Sequence, residues 1–89
     1  MAHYILFYDY VENMGERRQP YREEHLARVN EWREQGKIRL AGALGSPPHG
    51  AAIVFEVEDA AEIERFAEGD PYVKAELVTA RRIEPWTLV

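Results

Sequence analysis

From residue 3 to residue 11 the chain is rich in Tyr, Ile, Phe and Val and has no Gly or Pro, a composition that favours a strand. Alternation puts Tyr4, Leu6, Tyr8 and Tyr10 on one face and His3, Ile5, Phe7, Asp9 and Val11 on the other. Neither face is polar, and a strand that is apolar on both sides is covered on both sides. Residues 12–19 are polar, with Asn13 and Gly15 as turn residues, and read as a loop. Pro20 suits the first turn of a helix, and residues 21–35 keep a helical pattern that Gly36 closes. On steps of 100° per residue, Tyr21, Val29 and Trp32 all fall within about 40° of His25. An imidazole therefore sits in the middle of this helix's apolar stripe, and Glu23, Glu24, Glu31 and Glu34 occupy the rest of the circumference.

Residues 38–44 alternate again (Ile38, Leu40, Gly42, Leu44) and predict a second strand. Residues 45–50, Gly-Ser-Pro-Pro-His-Gly, are dense turn chemistry, and 51–57 give a third strand with Ile53, Phe55 and Val57 on one face. Asp59 with Glu62 has capping-box spacing, and Ile63, Phe66 and Ala67 form the buried stripe of a second helix that ends at Gly69. Asp70-Pro71 repeats the cap-then-proline signal and opens further helical turns through Leu77. Residues 79–89 read as the last strand, where Pro85 argues for an edge or a bulge. The order β-α-β-β-α-β predicts a ferredoxin-like α+β fold: one antiparallel sheet with both helices on one face. The other face is then bare. Because the first strand is apolar on both sides, a homodimer packed sheet on sheet is the expected cover, with Tyr4, Leu6, Tyr8 and Tyr10 as the residues needing a second surface.

Size and charge narrow the functional classes. Eighty-nine residues predict one domain spanning 1–89, with roughly 5,400 Å² exposed when folded. A net charge of −5 disfavours a nucleic-acid backbone as partner. No membrane span and no basic-then-apolar leader is apparent, which predicts a soluble, cytoplasmic protein. The chain has no cysteine, excluding disulfides, thiolate nucleophiles and zinc ribbons. His3, His25 and His49 lack the i, i+4 spacing of a metal site, no Gly-rich phosphate loop is present, and Ser46, the only serine, sits in a turn without a neighbouring base. The expectation is chemistry without metal or cofactor.

His25 is the first candidate for that chemistry. A histidine at a core edge can simply bond its neighbours, but an imidazole on a buried stripe is costly without a partner and titrates close to neutral pH. A general base facing a cavity suits both properties. Asp70 reads locally as an N-cap, worth about 1 kcal/mol. One of its oxygens can cap while the other orients an imidazole. Tyr8 and Asp9, at the end of the first strand, are candidate substrate contacts, with core packing and a loop contact as their plainer roles. Arg82 is a third, since a guanidinium pairs a carboxylate or phenolate bidentately; solvated edge charge is the plainer reading for it and for Arg39 and Arg81.

The run Arg22-Glu23-Glu24-His25-Leu26 at a helix start, Ala41-Gly42 in a strand, Asp70-Pro71-Tyr72-Val73, and Pro85-Trp86 in the last strand resemble the YciI-like (YCII-related, DGPF-type) family over nearly the whole chain. The resemblance implies a dimeric α+β barrel with His25 and Asp70 as the catalytic pair. Some relatives of this kind are cofactor-independent lyases that remove HCl from chlorinated hydroxyquinols. Ala43 stands where many relatives have Pro after the Gly, and the loop around Pro47-Pro48 is shorter than in many of them. The leading expectation is a small lyase or isomerase acting by His/Asp acid–base chemistry on a cyclic or phenolic substrate. The alternative is a non-catalytic binding or interaction domain that uses the same pocket.

Overall fold

The computed structural model describes residues 2–89. Its four strands are β1 (Ala2–Tyr10), β2 (Ile38–Leu44), β3 (Gly50–Val57) and β4 (Val78–Pro85), and its helices are α1 (Met14–Arg17), α2 (Arg22–Glu34), α3 (Ala60–Gly69) and α4 (Pro71–Lys74). The strands form one sheet in the order β2-β3-β1-β4, with every neighbouring pair antiparallel. This is the ferredoxin-like arrangement the element order predicts, and β4, which ends at Pro85, is an edge strand. The exposed area is 5574 Å², close to what size alone dictates for a folded chain.

Alternation decides what each face of the sheet meets. Leu6, Tyr8, Ile53, Phe55 and Val57 pack under Val29 of α2 and Ile63, Phe66 and Ala67 of α3. Trp32 closes this core edge-on, with ring centroids 5.2 Å from Phe66 and 6.1 Å from Phe55. The tyrosine-bearing side of β1 is thus the side the helices cover. This corrects the expectation that Tyr4, Leu6, Tyr8 and Tyr10 await a second surface. What lies bare is the opposite parity: Ile5 pairs with Val54, Phe7 with Ala52, and Leu40, paired with Val54, is 66% exposed.

Local signals place most of the boundaries. Asp59 accepts from the Ala61 N–H and starts α3, and Asp70 accepts from the Tyr72 N–H and starts α4. Gly36, at φ 78°, ends α2 in the left-handed region that favours glycine. The polar run after β1 departs from expectation. It folds as α1, entered through Asn13 at φ 59°, followed by a single 3₁₀ turn (Gln19–Tyr21) that carries Pro20. The anchor is Met14, the one apolar residue of α1, which is buried against Tyr72 and Leu77 in a second, smaller core. Docking one methionine turns an apparent loop into a fixed segment. The last strand is also shorter than expected: it ends at Pro85, which still pairs with Tyr4, and after a last bond from the Trp86 N–H to the His3 carbonyl the chain leaves the sheet.

Candidate active site

Three elements distant in sequence meet beneath α2. His25 sits one turn into that helix and is buried to within a tenth of its surface, and Asp70, at the α3–α4 junction, is fully buried. His25 Nδ1 lies 2.8 Å from Asp70 Oδ1. Oδ1 also accepts the Tyr72 N–H at 3.0 Å, and Oδ2 accepts the Tyr8 hydroxyl at 2.8 Å. A carboxylate used this way only accepts, so Nδ1 carries the proton and donates it. In the neutral ring that leaves Nε2 bare, with its lone pair available. Tyr72 lies flat on the imidazole, at 3.8 Å between ring centroids and 7° between planes, and fixes its orientation.

Burial sets the protonation of the surrounding phenols. Desolvation, the Asp70 charge and the hydrogen bond to it all hold the Tyr8 phenol far above its ordinary range. Burial also raises Tyr10 and Tyr72, against the pull of the Arg18 and Arg22 guanidinium groups, which favour their ionised forms. Tyr8 therefore stays a neutral donor to Asp70.

A cavity of about 330 Å³, the size of a small-molecule site, opens beside the pair. His25, Tyr10 and Tyr72 line one part of it, Ala41, Gly42 and Ile53 of the sheet another, and Arg18, Arg22 and Arg33 its polar side. Among the described residues, no group of three His, Asp or Glu could hold a metal ion, and no helix is long and apolar enough to cross a membrane.

The residues singled out in the sequence divide by strand parity. His25, Asp70 and Tyr8 come together. Asp9 and Arg82 do not: neighbours on a strand point to opposite faces, so Asp9 cannot share the side of Tyr8. Asp9 is exposed, and its backbone carbonyl accepts from the Thr79 hydroxyl. Arg82 pairs with Phe7 across the ladder and stacks on that ring on the bare face, its Nε 3.2 Å from Glu84. Neither lines the cavity, nor does Tyr8, which is buried and spends its hydroxyl on Asp70, so none of the three expected substrate contacts is on its wall. Sequence reasoning missed Arg18, Arg22 and Arg33. Arg22 and Arg33 fall on α2, but Arg18 reaches the cavity only because Met14 docks α1, and no periodicity signals that.

A family model for the YCII-related domain matches residues 1–87. No curated protein sequence matches the chain significantly. Among solved structures, the chain resembles 5-chloro-2-hydroxyhydroquinone dehydrochlorinase (TftG) from Burkholderia phenoliruptrix, in complex with 2,5-dihydroxybenzoquinone. The TM-score is 0.82 at 22% identity, covering 98% of this chain and 95% of that one. It also resembles a protein from Agrobacterium tumefaciens (TM-score 0.64, 9% identity, 100% and 94% covered) and a NIPSNAP domain protein from Burkholderia xenovorans (TM-score 0.61, 14% identity, 100% and 95% covered). At these identities the likeness is one of fold.

Proposed function

This chain belongs to the YCII-related domain family, and from that premise we propose that it is a small cytoplasmic, cofactor-independent enzyme, a lyase or isomerase acting on a small cyclic or phenolic substrate. The observation that carries the reading is the 2.8 Å contact between His25 Nδ1 and a fully buried Asp70 at the wall of a cavity. In this reading Nε2 takes a proton from the substrate, and Asp70 stabilises the imidazolium that forms without itself being protonated. The imidazolium then returns the proton to another atom of the substrate, completing an isomerisation, or to solvent after a leaving group such as chloride departs with its bonding electrons. Acid–base assistance of this kind supplies about 10²–10⁴-fold. The likeness of fold to a dehydrochlorinase supports elimination as the first reaction to test.

The same reading takes the working unit to be a homodimer. The bare side of the sheet supports it: Ile5, Phe7 and Val54 lie there half-exposed beside the exposed Leu40.

The test is a turnover screen over hydroxylated aromatics, with and without ring chlorine, using wild type and His25→Asn. Consumption of at least one compound, slowed about 10²-fold or more in the variant, supports the proposal. If wild type and variant consume it at the same rate, His25 leaves the mechanism. If nothing in the panel is consumed although compounds bind, the site is a binding pocket.

A further inference from the structure

The protein carries a net charge of −5, yet no carboxylate side chain lines its main cavity, while three of its arginines do. Of the six arginines elsewhere, three find counter-charges, Arg39 lying 3.8 Å from Glu56, Arg81 3.5 Å from Glu64 and Arg82 3.2 Å from Glu84, while Arg28 is held by the Phe66 and Arg65 carbonyls instead. Arg18, Arg22 and Arg33 have no carboxylate within 4 Å among the described residues. Arg33 is the least committed to the interior, being exposed and bonded to Asn30 Oδ1 at 2.7 Å. Arg18 and Arg22 are half-buried. Two polar atoms here are buried with no hydrogen bond within 3.5 Å among the described residues, Arg18 Nε and the hydroxyl of Tyr72, and the Arg22 guanidinium is the donor nearest to hand for that hydroxyl. Arg18, Arg22 and Tyr72 all line this one cavity.

Half-burying two cations with no carboxylate within 4 Å costs free energy that an ionic partner would offset. The compensation that fits this cavity is an anionic oxygen on the ligand, which would take charge-assisted bonds from the guanidinium groups and a further one from the Tyr72 hydroxyl. Resting on the reading of this cavity as the substrate site, we propose that the substrate is a small planar anion, carrying a carboxylate or an ionised ring oxygen, and that Arg18 and Arg22 select it. His25 stacks on Tyr72, so an anionic group bound there places the body of the ligand along the imidazole edge. Arg18 and Arg22 are in this account specificity residues, and His25 Nε2 remains the group that moves the proton.

Equilibrium binding separates this inference from the catalytic reading, since it requires no turnover. Three probes suffice: hydroquinone, which is neutral; 2,5-dihydroxybenzoate, the same ring with a carboxylate; and 2,5-dihydroxybenzoquinone, whose acidic enols are ionised at neutral pH. Calorimetric titration of the wild-type protein is expected to show at least one anion binding tenfold or more tightly than hydroquinone, and the two anionic arms tell carboxylate from ring oxygen. Arg18→Gln/Arg22→Gln is expected to abolish that preference and Arg18→Lys/Arg22→Lys to keep part of it. Hydroquinone binding within twofold of both anions in the wild type overturns the inference, whether or not a variant folds. So does a preference that survives the double Gln substitution. Turnover of a neutral phenol without anion preference would remove this proposal and leave the enzyme reading standing. An anion preference in a protein that turns nothing over would do the reverse.

Discussion

Asp70 has three donors to satisfy and two oxygens to do it with, and how it does so separates its structural role from its chemical one. An asparagine at this position can keep every bond: its oxygen toward the Tyr72 N–H and His25 Nδ1, its amide toward Tyr8, whose hydroxyl then accepts. What it loses is the charge that steadies an imidazolium. Asp70→Asn is therefore expected to cost only about 1–2 kcal/mol of stability, since bonds to a charged group are the stronger ones, while turnover falls about 10²–10⁴-fold. Asp70→Ala strands all three donors in a buried site and is expected to cost about 3 kcal/mol or more. Thermal denaturation of both variants, at about 4–8 °C per kcal/mol for a chain this short, reads the difference. Tyr8 adds a pH dependence. Burial and Asp70 raise its folded-state pKa, so its neutral form is favoured in the native state. Its contribution to stability is full below the unfolded value of about 10 and is lost as pH rises above that. In denaturant titrations between about pH 10 and 11.5, Tyr8→Phe is expected to lose stability less steeply than wild type, by up to about 1.4 kcal/mol per pH unit. Equal slopes would mean that Tyr8 is not held neutral.

At the scale of elements, the hairpin that supports the cavity depends on a close approach of backbones. Gly50 opens β3 opposite Asp9, and a β-carbon there would collide with the adjoining Tyr8 carbonyl oxygen. Gly50→Ala is expected to destabilise by about 1–3 kcal/mol, because the obstruction is backbone and cannot swing away. Unchanged stability in chemical denaturation would show that β1 and β3 can part there. The elements legible in the sequence were those fixed locally. Asp59 and Asp70 announce α3 and α4 because a cap is a short-range event, and β2 was read to its observed ends because its alternation is bounded by turns. The segment α1 was not legible: its stability comes from Met14 reaching Tyr72 and Leu77, contacts across some sixty residues that no local pattern encodes. The candidate site followed the same division. A histidine on an apolar stripe and an Asp-Pro cap could be found one at a time, whereas the arginine-lined side of the cavity exists only once α1 has docked. For Asp9 the misleading signal was nearness in sequence to Tyr8, which on a strand guarantees the opposite face.

At the scale of the whole molecule, the helices bury one side of the sheet and leave the other to Ile5, Phe7, Leu40 and Val54. If a second copy covers that side, light scattering should give a mass of twice 10.3 kDa at micromolar concentration, and Phe7→Lys/Val54→Lys should halve it. A wild-type monomer at that concentration would contradict the homodimer. The catalytic account also depends on the assembled molecule, since Tyr8, His25 and Asp70 come from β1, α2 and the α3–α4 junction. The ring nitrogens of His25 report on that assembly and on the proposed chemistry together. Long-range ¹H–¹⁵N correlation spectra of the labelled protein, recorded where the ring is neutral, should show Nδ1 protonated and Nε2 bare, and Asp70→Asn should weaken that preference. A wild-type His25 with the proton on Nε2 would leave no base facing the cavity and would contradict the account.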